Sequence, residues 1–308
     1  MVTGAGGFLG SHICRYFGRS GHPVAAVGRL ATERGLTADY PGLDLLAGMT
    51  LPDPAFVRAV TNWKPDLLVH AAASARVAAS AAEPYTDFQE SVDLCAYALD
   101  TVRKHAPNAA FVLLSSAAVY GNPSDLPIHE GTRLAPLSPY GYHKWLCELL
   151  VDEYRSLFGV RASSLRIFSA YGEGLRRQVV HDLCTQMLEG TEPIRVFGTG
   201  RETRDFVHAN DVARAIEYVA NAPAGSPPCY NVASGRELRI DELARTLASA
   251  VGCQRPLVFT DEQLPGYPTH WRADIARLAA LGYRAEVRLE AGLADYARWL
   301  KTVRSTRP

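Results

Sequence analysis

Met1-Val-Thr-Gly-Ala-Gly-Gly-Phe-Leu-Gly10 opens the chain with a strand fragment, a glycine-rich turn and the start of a helical pattern carried by Phe8, Leu9, Ile13 and Phe17. Gly4, Gly7 and Gly10 permit a tight turn, close backbone approach to a pyrophosphate and close helix packing, with the phosphate at the helix N-terminus. The spacing is Gly-x-x-Gly-x-x-Gly, so a plain turn is the alternative reading, but a strand before and a helix after favour a dinucleotide loop. Only Met1, Val2 and Thr3 precede the turn, whereas a central strand runs about five residues. Either this strand is stunted or the native protein has residues before Met1.

Working outward, Val24-Ala-Ala-Val27 reads as the second strand and ends at Gly28-Arg29. In a dinucleotide fold this end meets the adenosine ribose, where an acidic residue binds the 2′-hydroxyl and an arginine accommodates a 2′-phosphate. Positions 28 and 29 carry no Asp or Glu. NADP(H) is therefore favoured, with NAD(H) left open and a solvated loop arginine as the plain alternative for Arg29.

The following pattern alternates helix and strand. Asp53 to Val60 reads as a capped helix, Asp66 to Ala71 as a buried strand, Glu83 to His105 as a long helix and Ala110 to Leu114 as another buried strand. Ala71, Ala72 and Ala73 are small where a cofactor passes over a strand end, and Ser115 and Ser116 arrive where ligands bind in open α/β sheets. A helix from Tyr140 to Phe158 and a strand from Arg161 to Phe168 complete a doubly wound parallel sheet, an α/β fold, over residues 1–170. Residues 171–308 mix short strands and helices and are expected to form a smaller substrate lobe, with parts free to return to the first domain.

Ser138-Pro-Tyr-Gly-Tyr-His-Lys144 is a helix start, because serine caps orphan N–H groups and the fixed φ of proline suits the first helical position. Tyr140 and Lys144 then share one face. A phenol titrates near pH 10, so it works as a base at neutral pH only beside a positive charge, which Lys144 is placed to supply. Taken alone, such a pair is more often part of an exposed amphipathic face.

The composition admits a soluble globular protein with a full core: 308 residues, 47% hydrophobic and 21% charged. Lys+Arg and Asp+Glu number 32 each, so no global charge points to nucleic acid or an anionic membrane. The six cysteines are scattered, without Cys-x-x-Cys or a Cys/His cluster, which argues for reduced thiols and no metal site. No apolar run approaches the ~20 residues of a membrane span and no secretion-type leader is evident, so the expected location is cytoplasmic.

The ordered set Thr3 to Gly10, Val69-His-Ala-Ala-Ala73, Ser115-Ser-Ala-Ala-Val-Tyr-Gly121, Ser138 to Lys144, Leu165-Arg-Ile-Phe-Ser-Ala-Tyr-Gly172 and Arg204-Asp-Phe-Val-His-Ala-Asn-Asp211 resembles the extended short-chain dehydrogenase/reductases of the nucleotide-sugar epimerase/dehydratase group. The resemblance covers almost the whole chain and implies a Rossmann domain. It makes Ser116 the catalytic serine, with Ser115 the alternative, Tyr140 the acid/base and Lys144 its partner and a ribose contact. The cofactor is then expected against Gly4, Gly7, Phe8, Leu9, Gly10, Arg29, Thr50, Leu51, Ala71, Ala72, Ala73 and Ser91 as well as Tyr140 and Lys144. Substrate contacts fall to Ser116, Ser169, Arg176 and Arg204, the last where the family binds a substrate phosphate.

The departures are informative. Ser91 and Ser169 stand where the family usually has Asn. Many epimerases carry a diphosphate arginine shortly before the stretch matching His270-Trp271-Arg-Ala-Asp274, and here that region reads Glu262-Gln-Leu-Pro265. Arg176 and Arg177 are candidates for the missing charge, against the alternative of two exposed arginines. Ala117 and Ala118 replace the Asp-Glu pair of the family's 4,6-dehydratases, and alanine cannot move a proton. The same positions disfavour the related decarboxylases and 3,5-epimerase/reductases.

The expected function is an NADP-linked ketoreductase acting on a 4-keto nucleotide sugar. The alternatives are a nucleotide-sugar 4-epimerase with tightly bound NAD and, remotely, a non-catalytic NADP-sensing protein. In the family the helices matching Glu83 to His105 and Tyr140 to Phe158 often pair across a twofold axis, so a homodimer is expected.

Overall fold

The computed structural model of the chain describes residues 1–28, 43–47, 49–262 and 268–305. Arg29 and the stretch Gln263 to Pro265 lie outside the described residues.

In chain order the strands are β1 Val2–Thr3, β2 Val24–Gly28, β3 Leu43–Ala47, β4 Leu67–His70, β5 Ala110–Ser116, β6 Arg161–Ile167, β7 Ser169–Tyr171, β8 Ile194–Val196, β9 Thr203–His208, β10 Cys229–Val232, β11 Glu237–Arg239 and β12 Leu257–Phe259. The helices are α1 Phe8–Arg19, α2 Pro54–Trp63, α3 Val77–Ala82, α4 Pro84–Phe88, α5 Leu94–His105, α6 Pro139–Phe158, α7 Gln178–Leu188, α8 Ala209–Ala220, α9 Ile240–Val251, α10 Ala276–Ala279 and α11 Leu289–Ser305.

Seven strands form one parallel sheet in the order β10-β6-β5-β4-β1-β2-β3. The chain starts at β1, winds outward through β2 and β3, then returns to the other side of β1 with β4. The sheet order therefore reverses between β1 and β4, and open α/β sheets bind ligands in the crevice beyond the strand ends at such a point. Both faces are covered, which explains the unbroken apolar runs in β2 and β5. Phe111 and Leu113 of β5 pack with Phe56, Leu99 and Val151 on one face, while Val112 and Leu114 pack with Ile13, Phe17 and Ile216 on the other. Asp53 starts α2 as expected, its side chain accepting from Ala55 N at 2.7 Å.

The small lobe has β9 between antiparallel β11 and parallel β7, a separate β8–β12 pair, and a core of Leu183, Leu243, Leu247, Leu293 and Leu300 from α7, α9 and α11. Parts of the chain beyond residue 170 pack with the first 170 residues. β10 pairs with β6 at the edge of the main sheet, and the apolar face of α8 (Val212, Ala215, Ile216, Val219) fills the same core as Ile13 and Phe17 of α1. The single helix read over Glu83 to His105 is corrected. α4 passes through a π-helical segment, Gln89–Asp93, before α5 resumes, and there Ser91 O accepts from Cys147 Sγ of α6 at 3.6 Å. A mid-helix π turn frees a carbonyl from the i→i−4 ladder, and hydrophobic spacing carries no sign of it. Among the described residues no helix is long and apolar enough to cross a membrane.

Candidate active site

The crevice between β1 and β4 is lined by backbone. Gly4 has φ +68° and passes so close to β4 that a Cβ there would lie 2.6 Å from Ala72 N and 2.7 Å from Ala71 O. Only glycine fits both the dihedral and the approach. Thr3 Oγ1 accepts from Ala72 N at 3.3 Å and lies 3.0 Å from His70 Nδ1, which ties the two strand ends together. Gly7 stands at the N-cap of α1 without a side-chain cap, so the first-turn N–H groups have no side-chain acceptor there, and Gly10 is buried in that turn. A backbone cradle at an uncapped helix N-terminus has the chemistry to hold a pyrophosphate. Ala71, Ala72 and Ala73 are half-buried at the end of β4. Thr50 is exposed, Leu51 is buried, and Ser91 is buried in the π segment with no partner for its hydroxyl.

Strand β5 presents its two serines differently. Ser115 is buried and its Oγ donates to Glu148 Oε1 at 2.5 Å. Ser116 is half-buried, and its Oγ accepts from Ala118 N at 3.2 Å at the start of the 3₁₀ turn Ala117–Tyr120. That leaves the Ser116 proton free to meet a substrate oxygen.

The next helix is set as its first residues require. Ser138 caps it by accepting from Gly141 N at 3.3 Å, and Pro139 follows at the first helical position. Gly141 lets α6 pack against the Ser116 turn, since a Cβ there would lie 2.8 Å from Ala118 O. Tyr140 N donates to Ser80 Oγ at 3.0 Å, so α3 steadies the turn carrying the phenol. Lys144 is buried, donates from Nζ to Leu114 O at 2.9 Å and lies 5.9 Å from the Tyr140 ring centroid. One ammonium thus faces the tyrosine ring while holding the end of the strand that bears both serines. A cation beside a phenol favours the phenolate, and a nearby hydroxyl steadies the oxygen that exchanges the proton.

The candidate substrate residues are distributed unequally. Arg176 is exposed, with its guanidinium 5.4 Å from the Trp299 ring centroid on α11. Its neighbour Arg177 turns inward: burial lowers its pKa, opposed by the Tyr140 phenol, with Arg76 adding a further lowering. Arg204 donates from Nη1 to Thr203 O at 2.7 Å and Thr269 O at 3.3 Å and covers the ring of Trp271. Ser169 opens β7, half-buried and in register with Phe206 of β9. Sequence reasoning missed Ser80 and Arg76, which come from α3 and its N-cap, a helix with no capping signal at its start. Among the described residues no group of His, Cys, Asp and Glu is arranged to hold a metal ion.

Comparison with known proteins identifies the family of the chain. The family described as "NAD dependent epimerase/dehydratase family" matches residues 1–233. The chain is 28% identical over 309 residues to a putative UDP-glucose 4-epimerase of Methanocaldococcus jannaschii, covering 98% of both proteins. Among solved structures it is similar to the UDP-N-acetylglucosamine 4-epimerase of Methanobrevibacter ruminantium M1 in complex with UDP-N-acetylmuramic acid, with TM-score 0.89, 25% identity and coverage of 98% and 97%. It is also similar to MoeE5 in complex with UDP-glucose and NAD, with TM-score 0.86, 27% identity and 98% coverage of each chain. With the glycine cradle, the β5 serines and the Tyr140–Lys144 turn all in place, the chain belongs to the NAD dependent epimerase/dehydratase family and is an enzyme of the extended short-chain dehydrogenase/reductase type.

Proposed function

We propose that the protein is an NAD-dependent nucleotide-sugar 4-epimerase. The observation that carries this reading is the similarity to 4-epimerases over nearly the full length of the chain, and the candidate site fits it. Lys144 joins the Tyr140 ring to the end of β5 that bears Ser116, while Ala117 and Ala118 occupy the positions where a dehydratase would need further acids. Such a set can deprotonate and reprotonate one hydroxyl and do no other acid/base work. The similar proteins support the 4-epimerase assignment, and MoeE5, solved with NAD, supports NAD as cofactor. The NADP-linked ketoreductase expected from the sequence gives way to this reading. It rested on Arg29, which lies outside the described residues.

The residues that would hold NAD are Gly4, Gly7, Phe8, Leu9 and Gly10 around the pyrophosphate, Ala71 to Ala73 along the crevice, and Tyr140 and Lys144 at the ribose. When bound, NAD supplies reversible oxidation and reduction at C4. Tyr140 takes the proton of the C4 hydroxyl and later returns it, Lys144 presents its ammonium to the Tyr140 ring, and Ser116 holds the sugar oxygen. Arg177 and Arg204 face the anionic part of the substrate, and Ser169 offers a short donor beside them. The purified protein, given UDP-glucose and no cofactor, should form the C4 epimer. Stoichiometric oxidation of added NADPH with a keto-sugar would instead restore the reductase.

The proposed assembly is a homodimer through α6. Tyr142, Leu146, Leu149 and Leu157 recur along one exposed face of this helix at 51, 39, 50 and 71% exposure, an apolar stripe of the kind that marks an association surface.

A further inference from the structure

Behind the two serines lies a buried polar network that the chemistry above does not use. Glu148 follows Lys144 by one turn on α6 and is 6% exposed. It accepts from Ser115 Oγ at 2.5 Å, from Arg166 Nη2 at 2.7 Å and from Arg166 Nε at 3.1 Å to each oxygen. Arg166 stands on β6 directly beside Ser115 in the sheet register. Its Nη1 donates to Tyr120 Oη and to Glu130 O, both at 2.9 Å, and its guanidinium lies 4.9 Å from the Tyr120 ring centroid. The Tyr120 hydroxyl donates onward to Asn231 Oδ1 of β10 at 2.7 Å.

Stability alone does not account for such a pair. Desolvating two charges is costly, and replacing a buried ion pair with apolar residues is often neutral or stabilising. The better-attested use of a buried pair is to set register. Here the register is that of the active site. Lys144 bonds the carbonyl of Leu114 and Glu148 bonds the hydroxyl of Ser115, so two successive turns of α6 are pinned to two successive residues of β5. Two pins fix both the slide and the rotation of the helix, and so where Tyr140 stands relative to Ser116. On the other side, Arg166 grips Tyr120, the last residue of the 3₁₀ turn that Ser116 caps. Burial pushes the Tyr120 pKa upward despite the opposing guanidinium, so the ring stays neutral and keeps its donor proton.

We propose that Glu148 and Arg166 are positioning residues that hold Ser116 and Tyr140 at their working separation, Glu148 through Ser115 and α6, Arg166 through Tyr120. The proposal rests on the reading of Ser116, Tyr140 and Lys144 as the catalytic set.

The test compares Glu148→Gln, Tyr120→Phe and Tyr140→Phe with the unchanged protein. kcat and KM are measured with UDP-glucose, NAD affinity by titration and folding by circular dichroism. Misplacement of reacting groups by about 1 Å can cost about a hundredfold, so Glu148→Gln should lower kcat about 10- to 100-fold. Tyr120→Phe, which removes one hydroxyl and leaves no charge unpaired, should lower it about three- to tenfold. In both variants KM and NAD affinity should stay within about threefold, because the lost interaction acts only on the transition state. If Glu148→Gln does not fold, Tyr120→Phe decides by the same criterion. kcat within about twofold of the unchanged protein, or a loss of NAD affinity as large as the loss of kcat, overturns the positioning role. If Tyr140→Phe is inactive while the other two variants turn over normally, the positioning claim fails alone. Normal turnover in Tyr140→Phe would remove the catalytic reading and this proposal with it.

Discussion

The C-terminal edge of the main sheet and the small lobe built on β7, β9 and β11 hold their polar side chains by different means. At the sheet edge each residue is fixed by backbone close to it or by a buried neighbour. Lys144 reaches Leu114 O, Ser116 caps its own turn, and Gly4 is pressed against β4. In the lobe the arginines lie against aromatic rings: Arg176 on Trp299, and Arg204 on Trp271 while donating to Thr203 O and Thr269 O. A site built on local backbone geometry leaves a spacing in the sequence. A site built on distant side chains leaves residue types without an address.

The largest effect should come from the sheet edge. Tyr140→Phe keeps the ring and its packing but removes the ionising group, so turnover should fall by ~10²–10⁴ with cofactor binding retained. Steady-state kinetics beside NAD titration checks this, and near-normal turnover would dissolve the contrast between the two regions.

That edge was legible in detail. The Gly4 turn, the delivery of the serines by β5 and the capped start of α6 follow from residues within a few positions of one another. The sequence left Ser115 as an alternative to Ser116, because only the fold brings Glu148 to the first of them. Strands β7 and β9 overlap Leu165 to Gly172 and Arg204 to Asp211, stretches whose polar residues break the apolar alternation that marks a strand. The return of β10 to the main sheet had no local signal, since pairing across more than sixty residues is decided by the core.

The lobe can be tested through its adjacent arginines. Arg177 is half-buried, with burial lowering its pKa, whereas Arg176 is exposed and lies against Trp299. Hydrogen bonds to charged groups contribute ~1.5–3 kcal/mol, so Arg177→Ala should raise the KM for UDP-glucose about 10- to 100-fold. Arg176→Ala should change it less than about twofold, as exposed cations commonly do. Equal effects would mean that the lobe aims its side chains no more selectively than a flexible surface.

A smaller effect concerns the crevice floor. His70 is wholly buried, and burial, with the charge of Lys144 adding to it, lowers its pKa from 6.5 to about 3. The folded value is depressed, so the unfolded chain takes up the proton first and stability falls as pH drops below about 6.5. Between pH 7 and pH 5 this one group should cost about 2 kcal/mol of stability. His70→Asn keeps a polar group facing Thr3 Oγ1 and does not titrate, so its unfolding midpoint should fall less than that of the unchanged protein over this interval. Equal falls would show that His70 is not held neutral.

The central claim, a 4-epimerase that recovers in each cycle what it removes from C4, is tested most directly with UDP-glucose deuterated at C4. Incubated with the purified protein and no added cofactor, it should yield the C4 epimer with the deuterium still at C4. Deuterium lost to water, or product formed only as added NADPH is consumed in equal amount, would contradict the account.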